Sequence, residues 1–320
     1  VVADNQANEL RYFDAAGRHL KTAGRKGGGP GEFDGLHRLL RLPGDSVAAW
    51  EWTHRLSVFG PAGEFVRSRR IEPPQDGMIV NAEGIFPDGS VLAAPGGSLI
   101  FKQGTIVARD TGAVFRYAAD GTRVDTLGRF PGTQMFSMTG TENGGWATLM
   151  SVPFGLETYL TLHGGLLYVA DNARFEVAVH DERGRLVRRF RAPYRAEPLT
   201  PEEVERYKAD RLASSSGPGF GRNVQERILA AMPYPETKSA FAEMRVDRTG
   251  AVWLRAHQLE RGAPGRWTVF AADGTLLGTV EVPGGLRVTD VGEDYVLGVW
   301  NDELDVQHVR LHRLERGGKP

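Results

Sequence analysis

The chain has 320 residues, no cysteine, and a formal net charge of −1 from 39 basic and 40 acidic residues. The charge balance excludes whole-molecule steering toward nucleic acid or an acidic membrane. The lack of cysteine excludes disulfides, thiolate nucleophiles and cysteine-ligated zinc. No apolar run approaches the ~20 residues of a membrane-spanning helix.

In chain order, Val1-Val2-Ala3-Asp4 reads as a strand entered in its middle. We therefore expect an upstream segment, able to carry a targeting signal, ahead of this sequence. The stretch from Gly24 to Arg70 then reads as a Gly-rich entry loop and four short strands at 36–42, 46–52, 55–59 and 64–69. Turn chemistry separates them at Pro43-Gly44-Asp45, Thr53-His54 and Gly60-Pro61-Ala62-Gly63. An alternating strand closed by a glycine turn recurs at 10–17, 56–63, 114–121, 177–184, 267–274 and 309–317. The glycine supplies the positive φ that such hairpins need.

Apolar second strands precede these copies at 1–3, 46–52, 90–94, 166–170, 251–256 and 295–300, and first strands at 36–42, 78–86, 157–162, 240–246 and 287–291. A four-stranded antiparallel unit repeated along the chain predicts an all-β, six-bladed β-propeller. The blades fall at about 1–33, 34–72, 77–128, 154–192, 239–283 and 284–317. The first lacks an inner strand and the last an outer strand. We expect the ring to close between them, with the upstream segment supplying both strands.

Three insertions, at 95–113, 129–153 and 193–239, leave from strand two-to-three loops or from connections between blades. Both kinds of loop emerge on one face, so all three decorate one mouth of the channel. Loops of this length are usually functional or disordered. In the longest, Thr200-Pro201-Glu202-Glu203 is a capping box. It predicts a helix to about Leu212, stopped by Ser214 to Gly219, and a second helix follows at 223–231. Two readings stand for this pair: a lid over the mouth, or a docked excursion that fills a gap.

The segment from Leu167 to Val177 (LYVADNARFEV) and the link from Gly27 to Phe33 (GGGPGEF) resemble NHL-repeat motifs. The whole chain is similar to bacterial six-bladed propellers of the NHL and TolB-like type. That resemblance implies the fold and an extracytoplasmic, periplasmic or secreted location. It does not imply an activity, because fold does not confer function.

Several chemical signals fall away on context. The Arg25 to Gly31 loop lacks the Gly-Lys-Ser/Thr ending and following helix of a phosphate loop. His308 and His312 lie on a strand, where four residues span about 13 Å, so one ion cannot hold both. No Gly-x-Ser-x-Gly or His-Glu-x-x-His is present.

The ends of the second strands keep more interest, since they point at the decorated mouth. The lactonase-like propeller resemblance implies a channel calcium held by oxygens, for which Glu51, Asp171 and Asp302 are the candidates. The alternative for these residues is ordinary turn chemistry. His54 and His257 would be the bases of a metal-assisted hydrolase or lyase. For binding without chemistry the candidates are Trp50, Glu51, Trp52, His54, Arg174, Arg222, Tyr234 and Arg255. Trp50 and Trp52 are expected to share a strand face, opposite Glu51. The partner would be a protein, peptide or carbohydrate, with no nucleic acid, no membrane span and a monomeric chain.

Overall fold

The computed structural model describes residues 1–75, 79–95, 106–141, 145–213, 221–260 and 262–316. These residues form antiparallel sheets and two helices. The first sheet holds β1 (Val2–Asp4), β2 (Glu9–Phe13) and β3 (His19–Ala23). The second holds β4 (Leu36–Arg41), β5 (Val47–Glu51), β6 (Arg55–Phe59) and β7 (Phe65–Arg70), paired in chain order.

In the third sheet β8 (Val80–Ile85) and β9 (Val91–Pro95) are followed by β10 (Ile106–Ala108), which leaves the sheet. It continues with β11 (Thr111–Tyr117) and β12 (Arg123–Pro131). β10 joins β13 (Met135–Gly140) and β14 (Trp146–Ser151) in a separate three-stranded sheet. β15 (Thr158–His163), β16 (Leu166–Asp171), β17 (Glu176–His180) and β18 (Leu186–Arg191) form the next sheet. Then come α1 (Pro201–Ala213) and α2 (Arg222–Ala231).

A further four-stranded sheet holds β19 (Glu243–Val246), β20 (Val252–Arg255), β21 (Gly265–Phe270) and β22 (Leu276–Val282). β23 (Arg287–Val291), β24 (Tyr295–Asn301) and β25 (Gln307–Arg313) complete the described strands as a three-stranded sheet.

The innermost strands line up side by side, β4 beside β8, β8 beside β15, β15 beside β19 and β19 beside β23, and β1 packs against β4. Arg41 on β4 reaches Asp290 on β23 at 3.0 Å, which brings the two ends of the series together. The sheets therefore stand around a central channel, which is the architecture of a β-propeller.

Sequence explains the layering. Second strands are apolar on both faces because a neighbouring sheet covers each, so Ala48, Ala49 and Trp50, or Tyr168 and Ala170, are all buried. Hydrophobic clusters fill the space between successive sheets. Trp50, Leu56, Val80 and Tyr117 form one, and Tyr168, Phe190, Phe241 and Phe270 another.

The structure departs from expectation at two points. β12 runs to Pro131, nine residues long, so the second insertion begins later than position 129. The insertions also carry strands of their own, β10, β13 and β14. Of the two readings of the helix pair, the docked excursion has the observed contacts, with Ile228 of α2 packed against Phe136 and Val152, and among the described residues none from α1 or α2 lines the channel. The expected helix stop at Ser214 to Gly219, the start of a strand at Met78 and the last marker at Gly317 lie outside the described residues.

Candidate functional site

The inner strands line a cavity that runs on into the gap between β2 and β25, with a total volume of about 3550 Å³. Each strand turns one set of alternate side chains toward the axis, and polar residues recur there. Arg38 on β4 pairs with Glu83 on β8 and also donates to the Ala82 carbonyl at 3.2 Å. On β19 and β20, Glu243 lies between Arg245 at 2.7 Å and Arg255 at 2.9 Å. Burial raises the Glu83 carboxyl above the usual range, and Arg38 opposes that without cancelling it.

Among the described residues Glu157, just ahead of β15, has no basic partner at salt-bridge distance. Its Oε2 lies 2.9 Å from the Tyr159 hydroxyl, which is also 2.7 Å from the Ala242 carbonyl. A phenol has one proton for these two acceptors. If Glu157 carries a proton, it donates to Tyr159, Tyr159 donates to Ala242, and every group is satisfied. The electrostatics run the same way. Burial raises the Glu157 carboxyl and Glu243 adds to this, against the Tyr159 hydrogen bond and Arg109. Burial and Glu157 likewise push the Tyr159 hydroxyl up.

Above Glu157 the insertions build a crown. Arg109, between β10 and β11, donates to the Gly132 carbonyl at 2.9 Å, to Thr158 Oγ1 at 3.3 Å and to Asp171 Oδ1 at 3.0 Å. One side chain thus ties both shorter insertions to the sheet below. Asp110, Thr133, Met135 and Ser137 extend the channel wall upward. From behind, Ile228 of α2 and Met232, the residue that follows the helix, seat against Phe136 and Val152. α1 starts as its capping box predicts: Thr200 N donates to Glu203 Oε2 at 2.9 Å, and Glu203 N to Thr200 Oγ1 at 3.3 Å. Its Tyr207 packs edge-on against Phe154 and Tyr234.

The residues singled out from sequence do not gather in this channel. Trp50 is fully buried in an inter-sheet core and has no surface for a ligand. Glu51 is also fully buried. It accepts from Arg55 at 2.7 and 2.8 Å and from the Asp34 amide at 2.6 Å. Arg55 in turn donates to the Gly28 and Glu32 carbonyls at 2.8 Å, so Glu51 anchors the Gly-rich loop.

Trp52 lies beyond the end of β5, half exposed, with its ring stacked on His37 at 3.7 Å, so it shares no strand face with Trp50. The His54 Nε2 receives the Val80 amide at 3.4 Å. Arg174 is exposed in the turn after Asp171, Arg222 pairs with Glu226 at 3.0 Å, and the Tyr234 hydroxyl donates to the Leu229 carbonyl at 3.2 Å. Arg255 is held by Glu243.

The two other residues expected to hold calcium also make local contacts. Asp171 accepts from the Ala173 amide and Arg109. Asp302 accepts from the Leu304 and Val306 amides and pairs with His308 at 2.8 Å. These are the turn bonds expected of a strand-end aspartate. Among the described residues, no three His, Asp or Glu side chains converge as a metal site would require.

His257 bonds Ser239 Oγ at 2.9 Å and packs against the Phe154 ring. Burial, then Arg255, lowers its imidazole to about 4. It lines a second, smaller cavity of about 430 Å³ with Glu203, Arg206 and Gln258. Sequence reasoning missed Glu157, Tyr159, Glu243 and Arg245. The available signal was polar residues at alternate positions of the first strands, where a closed core would place apolar ones.

No family model and no curated protein matches the chain. Solved structures do. A member of the DUF4221 family from Bacteroides vulgatus aligns at a TM-score of 0.50 and 12% identity, over 96% of this chain and 86% of that one. A candidate exported protein from Bacteroides fragilis aligns at 0.48 and 12%, over 93% and 75%. BamB from Moraxella catarrhalis aligns at 0.33 and 13%, over 98% and 71%. At these identities the likeness concerns fold alone.

Proposed function

We propose that this is a six-bladed propeller that binds a polar ligand at the crowned mouth of its channel without transforming it. The blades are the sheets β1–β3, β4–β7, β8–β12 without β10, β15–β18, β19–β22 and β23–β25. The sheet β10-β13-β14 is an accessory to the ring. One observation supports the reading above the others: insertions far apart in sequence join into a single crown that lengthens the channel wall on one side.

Below the crown the wall offers Glu157, Tyr159, Thr161, Glu243 and Arg245. Dense hydrogen-bonding groups of this kind suit a peptide or a carbohydrate. A metal-assisted hydrolase loses its support with the dispersal of Glu51, Asp171 and Asp302. The sequence likeness to exported propellers favours a place outside the cytoplasm. No helix among the described residues is long and apolar enough to cross a membrane.

A photo-crosslinking residue tests the face. Placed at Asp110 or Met135 on the crown, and exposed to extract of the cells that make the protein, it should give adducts on irradiation. The same residue at Asp120, in the hairpin at the opposite end of the third sheet, should give none. Adducts at Asp120 alone, or at none of the three, would refute the reading.

A further inference from the structure

The ring has one junction unlike the rest. Taking the six blades proposed above, five junctions each hold a buried hydrophobic cluster. Among the described residues no such cluster joins β23–β25 to β1–β3.

The strands on either side carry the same mark. Third strands elsewhere are buried, with Leu56 and Phe59 on β6, Val177 and Val179 on β17, and Trp267 and Val269 on β21 all covered. β25 holds the same place in its sheet, yet none of its residues is buried, and Val309 and Leu311 are 46% and 62% exposed. Across the gap Phe13 is 39% exposed, where Phe59, Tyr117 and Phe270 at the same place before their turn glycines are covered, and it lines the same cavity as Val309 and Leu311. Among the described residues β25 pairs only with β24, and β1 only with β2. Two free strand edges and two apolar walls therefore face an empty slot.

The rest of the ring shows what fits there. At the other junctions one continuous stretch of chain runs as the outer strand of one sheet and then the inner strand of the next, as β7 leads to β8, β18 to β19 and β22 to β23. The inner strand then turns directly into the second, as β4 does into β5. At the open junction the second-strand position is β1. The amino group of Val1 lies at the inner end of the slot, beside Arg41 and Asp290.

The stretch after β25 is directed elsewhere. Leu314 N donates to the Asp294 carbonyl, and Arg316 donates to the Gly292 carbonyl and pairs with Asp247. The chain thus leaves β25 toward the β23–β24 turn, away from the free edge.

We propose that the slot takes a two-strand segment of this same polypeptide, outside residues 1–320, joined to the amino end of β1. Its first strand adds to β25 and its second lies beside β1 along the channel. The chemistry of β25 specifies the first strand by cross-strand pairing. Positions beside Val309 and Leu311 are apolar. Those beside His308, Arg310 and His312, on the other face, are acidic or polar. The segment removes both open edges, which otherwise template wrong pairing.

The cysteine-free chain gives a clean test. Leu311→Cys is compared for maleimide labelling in the chain of residues 1–320 and in the gene's full polypeptide. Labelling should be fast in the first and roughly tenfold or more slower in the second, as expected of a locally protected site. Leu277→Cys, exposed on β22, should label alike in both. Equal rates at Leu311→Cys overturn the proposal. So does slow labelling of the 1–320 chain together with a dimeric mass, which would make a second copy the occupant. A polypeptide with no alternating stretch ahead of β1 overturns it as well.

Discussion

His257 and Glu51 both stand at strand ends that looked like places for chemistry, and both act as internal fasteners. His257 also makes stability depend on pH. Its folded value of about 4 lies below the ~6.5 of an exposed imidazole. Between those two values the unfolded chain binds a proton that the folded chain refuses. The stability present above pH ~6.5 is therefore lost as pH falls toward 4, by up to about 1.4 kcal/mol per unit.

His257→Gln removes the titrating group and can keep the bond to Ser239. Urea unfolding at pH 7 and pH 4.5 should show a smaller acid loss in the variant than in the parent. Equal losses would assign the acid sensitivity to other groups. No sequence rule separated this histidine from a catalytic one, because its burial comes from Phe154 and an insertion remote in the chain.

The marker glycine of each repeat shows how an element can be read correctly for half of its reason. Gly184 was expected to supply positive φ for a hairpin, and its φ is +78°. It does a second thing that sequence could not reveal. A Cβ at Gly184 would sit 1.9 Å from the Leu127 carbonyl oxygen on β12 of the preceding sheet, so the turn packs against a neighbouring backbone. Gly17 has φ +77° with nothing within 4 Å of such a Cβ, and isolates the conformational part.

Gly17→Ala should cost roughly 1–2 kcal/mol, the left-handed penalty alone. Gly184→Ala should cost clearly more, since backbone must move as well. Denaturant midpoints of the two variants decide the matter. A Gly184→Ala no worse than Gly17→Ala would mean that the sheets slide apart freely at this contact.

For the molecule as a whole, repeats were legible because each blade carries its own turn chemistry and its own doubly buried second strand. The crown was not legible, because β10 pairs with β13 across an intervening pair of strands and no local pattern announces that. Nor was the channel, since the direction of Glu157 or Glu243 depends on the ring being closed around it.

The same closure sets the order in which the structure should open. Five junctions are sealed by buried clusters. The sixth holds no such cluster among the described residues, and the ion pair that spans it runs past β1–β3, from Arg41 on β4 to Asp290 on β23, with side chains 52% and 35% exposed. An ion pair so placed contributes at most about 1 kcal/mol and is screened by salt. Hydrogen exchange on the 1–320 chain should therefore begin in β1–β3 and β24–β25, and added salt should hasten it there. The second strands β5, β9, β16 and β20, covered on both faces, should exchange last, near the global limit. Uniform protection across all sheets would show that the ring opens only as a whole, and that the uncovered junction is no weaker than the others.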